Sequence, residues 1–395
     1  MTDTIVYLSC DGALQPLGFS QVVRPVLGLA ARGWRYRLLT LERAEDLADA
    51  SRVATLRERL VEANVEWTAL PYRRGYGPLS AGVNIAHPVA VLTRLSRGAR
   101  LVHARSYVGA IIARAAQQVT GVPYLFDTRG FWFDERREQG RWFANDAVFD
   151  AAKRLERRLY ADAAGAVSLT QLGADDIAGG AFGRWGDKPV AAIPTCVDQA
   201  EFTMHRTRRP ELADRLVIAW VGSINNWYFI DEGLALFSRI RAREPRAHLL
   251  WLTPQVDAAT ERVRTHGITD FTVTAAQHDA MPAWMGTIDW GLLLLVETYA
   301  KRASMPTKLA EFLASGVRPI HFGCNAEVGA WVDRTRSGIS VPSLDGRSLD
   351  AAAGRVAEIG RSDAGLEAAR SISAEHFSLA AGVDRYDALL REVTS

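Results

Sequence analysis

Short apolar runs and amphipathic stripes alternate along the whole chain, and that alternation predicts the architecture. Residues 5–9, 36–41 and 66–70 read as strands, with helices over residues 20–32 and 53–63 between them. Residues 101–104, 123–127 and 164–169 supply further apolar strands. The style repeats at 217–221, 248–252, 271–274, 290–295, 317–321 and 339–341. Runs that stay apolar without alternating suit strands buried on both faces, and strands that alternate with helices predict doubly wound parallel sheets. Two Rossmann-like α/β units in tandem are therefore expected. The join is placed at residues 202–215, where HRTRRPELADR is polar, charged and interrupted by Pro210. A closing helix over about residues 378–393 has no strand after it.

Length and composition fit this picture. A chain of 395 residues exceeds one ordinary domain, and a prior of roughly 150 residues each suggests two or three. The hydrophobic fraction of 48% is ample for two cores, and a net charge of +2 argues against wholesale nucleic-acid binding. No apolar run approaches the ~18 residues of a membrane span, and MTDTIVYLSC reads as a first strand rather than a signal peptide. Cys10, Cys196 and Cys324 are sparse and widely spaced, which suits a reducing cytoplasm and offers no zinc spacing.

The most informative stretch is WGLLLLVETYAKRASMPTKLAEFLASGVRPI, residues 290–320. A buried strand is followed by a loop, a short helix and a second strand. Pro306 suits the first helical position, Ser304 or Met305 can cap it, Leu309, Phe312 and Leu313 form an apolar face, and Gly316 ends it. Unpaired N–H groups and the macrodipole make such a helix start a seat for phosphate, with Thr307 and Lys308 beside it. Lys301, Arg302 and Lys308 surround a loop at the carboxyl end of a parallel strand, where open α/β sheets bind ligands. Glu311, one turn on, could accept hydrogen bonds from ribose hydroxyls. The plain alternative is a surface helix carrying a Lys308–Glu311 pair.

The pattern S-x-P-T-K-x-x-E-F-L-A-x-G-x-x-P closely resembles the donor-nucleotide motif of retaining glycosyltransferases of family 4, which have the GT-B architecture. Segments similar to that family follow in the same order elsewhere: YLSCDGALQPLGFSQ, LVHARSYVGAIIA, FDTRGFWFDERREQGRW, IPTCVDQAEF and WVGSINNWY. The resemblance implies an α/β GT-B fold with a cleft between an N-terminal acceptor domain, residues 1–202 plus a crossing helix at about 378–395, and a donor domain, residues 203–377. The family usually carries two glutamates eight positions apart. The second is Glu311, and the first position holds Ala303, as in a subset with K-x-x-S-x-P-T-K. After the strand at 216–221 the family often places an Arg and a Lys for the pyrophosphate, whereas this chain offers Gly222, Ser223 and the residues up to Trp227.

Outside the donor stretch, residues 11–20 form a glycine-bearing loop that the family sets against donor phosphates or acceptor, with Gly18, Ser20 and Gln21 as the candidates. His103 closes an apolar strand ahead of Arg105 and Ser106, and it reads as a catalytic candidate or a packed core histidine. Asp127 ends the next strand, and Arg129 after it reads as a ligand contact or a buried anchor. Lys153, Arg154, Arg157 and Arg158 recur on one helix, which suits a solvated face, with contact to an anionic membrane surface as the less favoured reading. Trp132, Trp142 and Trp227 are candidate acceptor contacts.

Together these readings predict a metal-independent retaining glycosyltransferase, with a nucleoside-diphosphate sugar as co-substrate and no cofactor, located in the cytoplasm or peripherally at the inner membrane face. Lys308, Arg302 and His103 are its expected catalytic residues. Gly18, Gly222, Ser223, Lys301, Ser304, Pro306, Thr307, Lys308 and Glu311 are expected on the donor, and Ser20, Gln21, Arg105, Asp127 and Arg129 at the acceptor or cleft. The resemblance further implies that the departing phosphate takes the acceptor's proton on the same face. The loop at 274–278 is expected to hold the base. The alternative is an altered, non-catalytic relative that binds a sugar nucleotide or supports a partner enzyme.

Overall fold

The apolar runs become two parallel sheets. The computed structural model describes residues 4–73, 78–140, 143–204, 208–225, 227–277 and 280–395. The chain divides into two units, Met1–Cys196 with Arg302–Ser304 and Leu379–Ser395, and Val197–Lys301 with Met305–Ser378.

Unit 1 holds β1 (Thr4–Ser9), β2 (Arg35–Glu42), β3 (Val65–Pro71), β4 (Leu101–Arg105), β5 (Tyr124–Asp127), β6 (Gly165–Ser168) and β7 (Val190–Ala192). Their order is β3-β2-β1-β4-β5-β6-β7, and the register sets Tyr7 beside Leu38 on one side and His103 on the other. The order reverses at β1, so the loops after β1 and β4 flank a topological switch point. Successive residues of β1 face opposite cores, as strand geometry requires: Val6 and Leu8 pack with Ala104 and Phe126, Ile5 and Tyr7 with Leu38 and Leu125. The second of these cores is completed by Val383, Tyr386, Leu389 and Leu390 from the helix Leu379–Thr394. Three half-buried residues make up β7, too short and too mixed a run to stand out in the sequence.

Unit 2 holds β8 (Leu216–Val221), β9 (Ala247–Leu252), β10 (Phe271–Thr274), β11 (Trp290–Leu295), β12 (Arg318–Gly323) and β13 (Ile339–Ser340), ordered β10-β9-β8-β11-β12-β13. Its switch point lies between β8 and β11. A Cβ at Gly291 would meet Phe312 at 2.2 Å, so the helix Thr307–Ser315 sits directly on β11. This unit begins at Val197, six residues before the expected start at 203. Val197 bridges to Ser378, and its N–H donates to the Phe377 carbonyl at 2.8 Å. In the polar stretch read as the join, Arg208 clasps buried Asp289 with two bonds of 2.8 and 3.0 Å.

The first helix begins at Pro16, earlier than the expected Ser20, and runs through a π-helical turn at Phe19–Val23 into Arg24–Ala30. The three cysteines are free thiols. Among the described residues no helix is long and apolar enough to cross a membrane.

Candidate functional site

In unit 2 the loops after β8 and β11 come together at the switch point. The helix Thr307–Ser315 ends at Gly316, whose φ of 69° is the left-handed C-cap expected of glycine. Its start is corrected by one position: Pro306 is the N-cap, and no side chain caps the helix. The first-turn N–H groups thus lack a side-chain acceptor at the positive end of the dipole. Thr307 and Lys308 occupy that turn.

The ammonium of Lys308 is buried with no hydrogen-bond partner and lies 4.1 Å from the centre of the Tyr228 ring. Gly222, with φ of 130°, makes room for it, since a Cβ there would stand 3.0 Å from the Lys308 Nζ. Glu311 makes no ion pair with Lys308, so the plain surface-pair alternative does not describe this helix. Burial pushes the Glu311 carboxyl up to about 7, against the opposing pull of the Lys308 charge. A buried ammonium without an acceptor is unfavourable, and the half-buried Glu311 carboxyl beside it has acceptor capacity to spare. A ligand that brings an anion and hydroxyl donors together satisfies both.

Not every expected donor residue joins them. Buried Lys301 sets its ammonium 3.8 Å over the Trp227 ring, so Trp227 supports a cation instead of lining an acceptor pocket. Arg302 is corrected: its guanidinium grips Asp176 with bonds of 2.8 and 2.9 Å, and its carbonyl accepts from the Thr170 hydroxyl at 2.5 Å. These are contacts within unit 1, to which Arg302–Ser304 belong. Ala303 is 0% exposed in the unit 1 core, where a Cβ added to Gly173 would meet its own Cβ at 2.7 Å. A glutamate has no space there. Ser304 lies near Gly130 in the same unit. Ser223 is exposed beside Gly222, and the base loop is described only to Gln277, with His278 outside the described residues. Sequence reasoning assigned no role to Tyr228. Its signal was an aromatic pair standing where the family places cations.

At the carboxyl ends of β1, β4 and β5, unit 1 seals a polar cluster. Asp127 is 0% exposed; its carboxylate accepts from the Tyr386 hydroxyl at 3.1 Å and lies 3.5 Å from His103 Nε2 and 3.8 Å from both Arg105 and Arg129. Burial alone would raise its pKa, yet Arg129, His103 and Arg105 hold it down at about 2. Arg105 also donates to Asp11 at 3.0 Å. His103, 1% exposed, is packed between the rings of Tyr7 and Tyr386, at 4.2 and 5.4 Å, and burial lowers its pKa. A substrate-facing catalytic His103 is therefore corrected to a buried, neutral packing residue. Of the two readings of Arg129, the anchor is the one that has a partner. It sits at φ 59°.

The candidates of the first loop bond within the chain. A Cβ on Gly18 would stand 1.9 Å from the Gly12 carbonyl, so this glycine admits the chain's own backbone and leaves no approach for a phosphate. Ser20 donates to the Leu17 carbonyl at 3.2 Å, and buried Gln21 to that of Cys196 at 2.8 Å. Lys153 leaves the expected basic stripe to pair with Asp134 at 2.7 Å and with Glu156. Arg154, Arg157 and Arg158 line a surface recess of about 330 Å³ with Arg184. Trp132 packs against Phe133 and Tyr107, and Trp142 lies outside the described residues. Among the described residues no group of three or more His, Cys, Asp or Glu could hold a metal ion.

Residues 21–195 match the family model described as Glycosyl transferase 4-like domain. No curated protein sequence matches. Among solved structures, a glycosyltransferase from Rickettsia africae is similar at a TM-score of 0.71 with 13% identity, covering 99% of this chain and 98% of its own. Anabaena HepE in complex with UDP-glucose gives 0.67 and 12%, covering 98% and 99%. Sucrose-phosphate synthase from Thermosynechococcus elongatus gives 0.68 and 14%, covering 99% and 98%. At these identities the likeness is one of fold. Over residues 21–195 the chain is thus similar to the glycosyl transferase 4-like domain, and as a whole it has the GT-B fold class, two Rossmann-like parallel-sheet units.

Proposed function

We propose that the chain is a retaining glycosyltransferase that moves a sugar from a nucleoside diphosphate to an acceptor hydroxyl, with the nucleotide held on unit 2. The observation that carries this reading is the pairing of a buried, unpartnered Lys308 ammonium with an unpaired Glu311 carboxyl at the switch point. The family match over residues 21–195 supports sugar transfer, and the UDP and UDP-glucose complexes of the Anabaena relative support a nucleotide sugar as ligand.

As the bond from the sugar's anomeric carbon to the diphosphate breaks and the acceptor oxygen bonds that carbon, negative charge builds on the leaving phosphate. The Lys308 ammonium and the first-turn N–H groups would stabilise that charge electrostatically. The acceptor's proton goes to a phosphate oxygen, so no side-chain base is required. Release of nucleoside diphosphate from a panel of nucleotide sugars, with the product's anomeric configuration read by NMR, tests the assignment. Inversion of that configuration would overturn the retaining mechanism. Activity is expected to survive EDTA, and an absolute requirement for magnesium or manganese would overturn the metal-independent scheme.

Glu311 gives a pH prediction. Its carboxyl is protonated below about 7, and only the ionised form is a strong acceptor for ribose hydroxyls. Affinity for a ribonucleoside diphosphate should therefore rise several-fold from pH 6 to pH 8, and Glu311→Gln should flatten that rise. Fold stability runs the other way. A raised carboxyl pKa contributes fully below the unfolded value and is lost as pH climbs through 7. Calorimetric titration at both pH values checks the first statement; equal slopes in the two proteins would remove Glu311 from the ribose.

The buried Ala303 favours a second reading, a relative that binds a sugar nucleotide without turnover. Nucleotide binding with no release of diphosphate from any donor would select it.

A further inference from the structure

Only four of the 47 basic residues are lysines, Lys153, Lys188, Lys301 and Lys308. Each sets its ammonium over an aromatic ring: Phe182 at 5.0 Å, Trp185 at 4.1 Å, Trp227 at 3.8 Å and Tyr228 at 4.1 Å. Lys153 also pairs with carboxylates, and Lys188 donates to the carbonyls of Tyr160 and Ala161 at 2.8 and 3.0 Å. Lys308 has its ring and no hydrogen-bond partner.

A π face attracts a cation without accepting any of its N–H bonds, so all three donors of Lys308 remain for a ligand. A carboxylate in place of the ring would occupy those donors and repel a phosphate. The ring itself is firmly seated. Tyr228 bridges to Leu295, and on either side of it the Trp227 carbonyl accepts from Val296 N–H at 3.0 Å and the Phe229 N–H donates to Leu294 at 3.1 Å. Its ring stands edge-on to buried Trp220 at 5.7 Å, which packs in turn on Trp251.

We infer that Tyr228 is a positioning residue for the phosphate site, holding the Lys308 ammonium beside Gly222 with its N–H donors turned over to an incoming nucleoside diphosphate. The ligand class rests on the function proposed above, whereas the hold on the lysine does not. With the ring in place, Lys308 enters binding already ordered. Without it, the side chain must give up rotamer freedom on binding, which weakens affinity.

Protein labelled with ¹³C in lysine alone yields four sets of ε-methylene signals. The Lys308 set is expected upfield from the Tyr228 ring current, unchanged in Tyr228→Phe and returned to ordinary lysine positions in Tyr228→Leu. A spectrum that Tyr228→Leu leaves unchanged would refute the hold. Titration with UDP, GDP and ADP should give Tyr228→Phe within about twofold of wild type and Tyr228→Leu weaker by about tenfold, the size of a partly desolvated cation–π contact. A moved lysine signal with wild-type affinity would overturn the positioning role. If Tyr228→Leu fails to fold, the wild type decides: the nucleotide that binds must shift the Lys308 signal while those of Lys153 and Lys188 stay. Wild type that binds none of the three nucleotides overturns the proposed function and the ligand named here, and leaves the lysine spectrum to settle the hold.

Discussion

Replacing Asp127 by alanine is expected to lower the stability of unit 1 by about 3–5 kcal/mol, the cost of stranding buried cations. Arg105 and Arg129 converge on this carboxylate, and Tyr386 donates to it from the far end of the chain. Without Asp127, the carboxylate left beside buried Arg105 is that of the half-exposed Asp11. The thermal midpoint should fall by roughly 10 °C for a unit of this size. A carboxylate depressed to about 2 contributes stability that is present above its unfolded value near 4 and lost as pH falls through 2, an effect of about 2 kcal/mol. Acid denaturation of the wild type should show that limb between pH 4 and 2, and the variant should lack it. A variant that melts within a degree or two of wild type would show that the cluster is not holding unit 1 together.

Lys308→Ala should weaken nucleoside-diphosphate binding by about 1.5–3 kcal/mol, the worth of a charge-assisted phosphate contact, and slow transfer by a comparable factor. Stability should change little. The buried ammonium has no hydrogen-bond partner, and relief of that cost offsets the lost contact with the Tyr228 ring, so the melting point should stay within a few degrees of wild type. Loss of affinity without loss of stability separates a ligand-binding lysine from a structural one. Calorimetry with UDP, GDP and ADP beside a melting curve reads both. Unchanged affinity would remove this helix from the nucleotide.

What the sequence made legible was local. Runs of Val, Ile and Leu marked twelve of the strands within a residue or two at most ends, and Pro306, Phe312 and Gly316 marked the helix that carries Lys308. What it hid was non-local. Arg302 looked like a phosphate ligand because it stands among cations, but its acid, Asp176, lies 126 positions earlier. His103 looked like a strand-end residue because nothing nearby in the chain announces that Tyr7 and Tyr386 will enclose it. Gly18 illustrates a different limit. Its lack of a side chain signals that something comes close, and the sequence has no means of saying that the visitor is the carbonyl of Gly12.

The composition of unit 1 from both ends of the chain bears on how it is made. Residues 1–196 emerge from the ribosome with their seven strands complete, yet Val383, Tyr386, Leu389 and Leu390 follow only after all of Val197–Ser378 has been translated. At ordinary elongation rates that interval is on the order of 10–40 s. For that time one face of the first sheet carries uncovered apolar surface, and Asp127 waits without the Tyr386 hydroxyl. The nascent chain is most open to aggregation or chaperone capture in this window, which closes when the last helix docks.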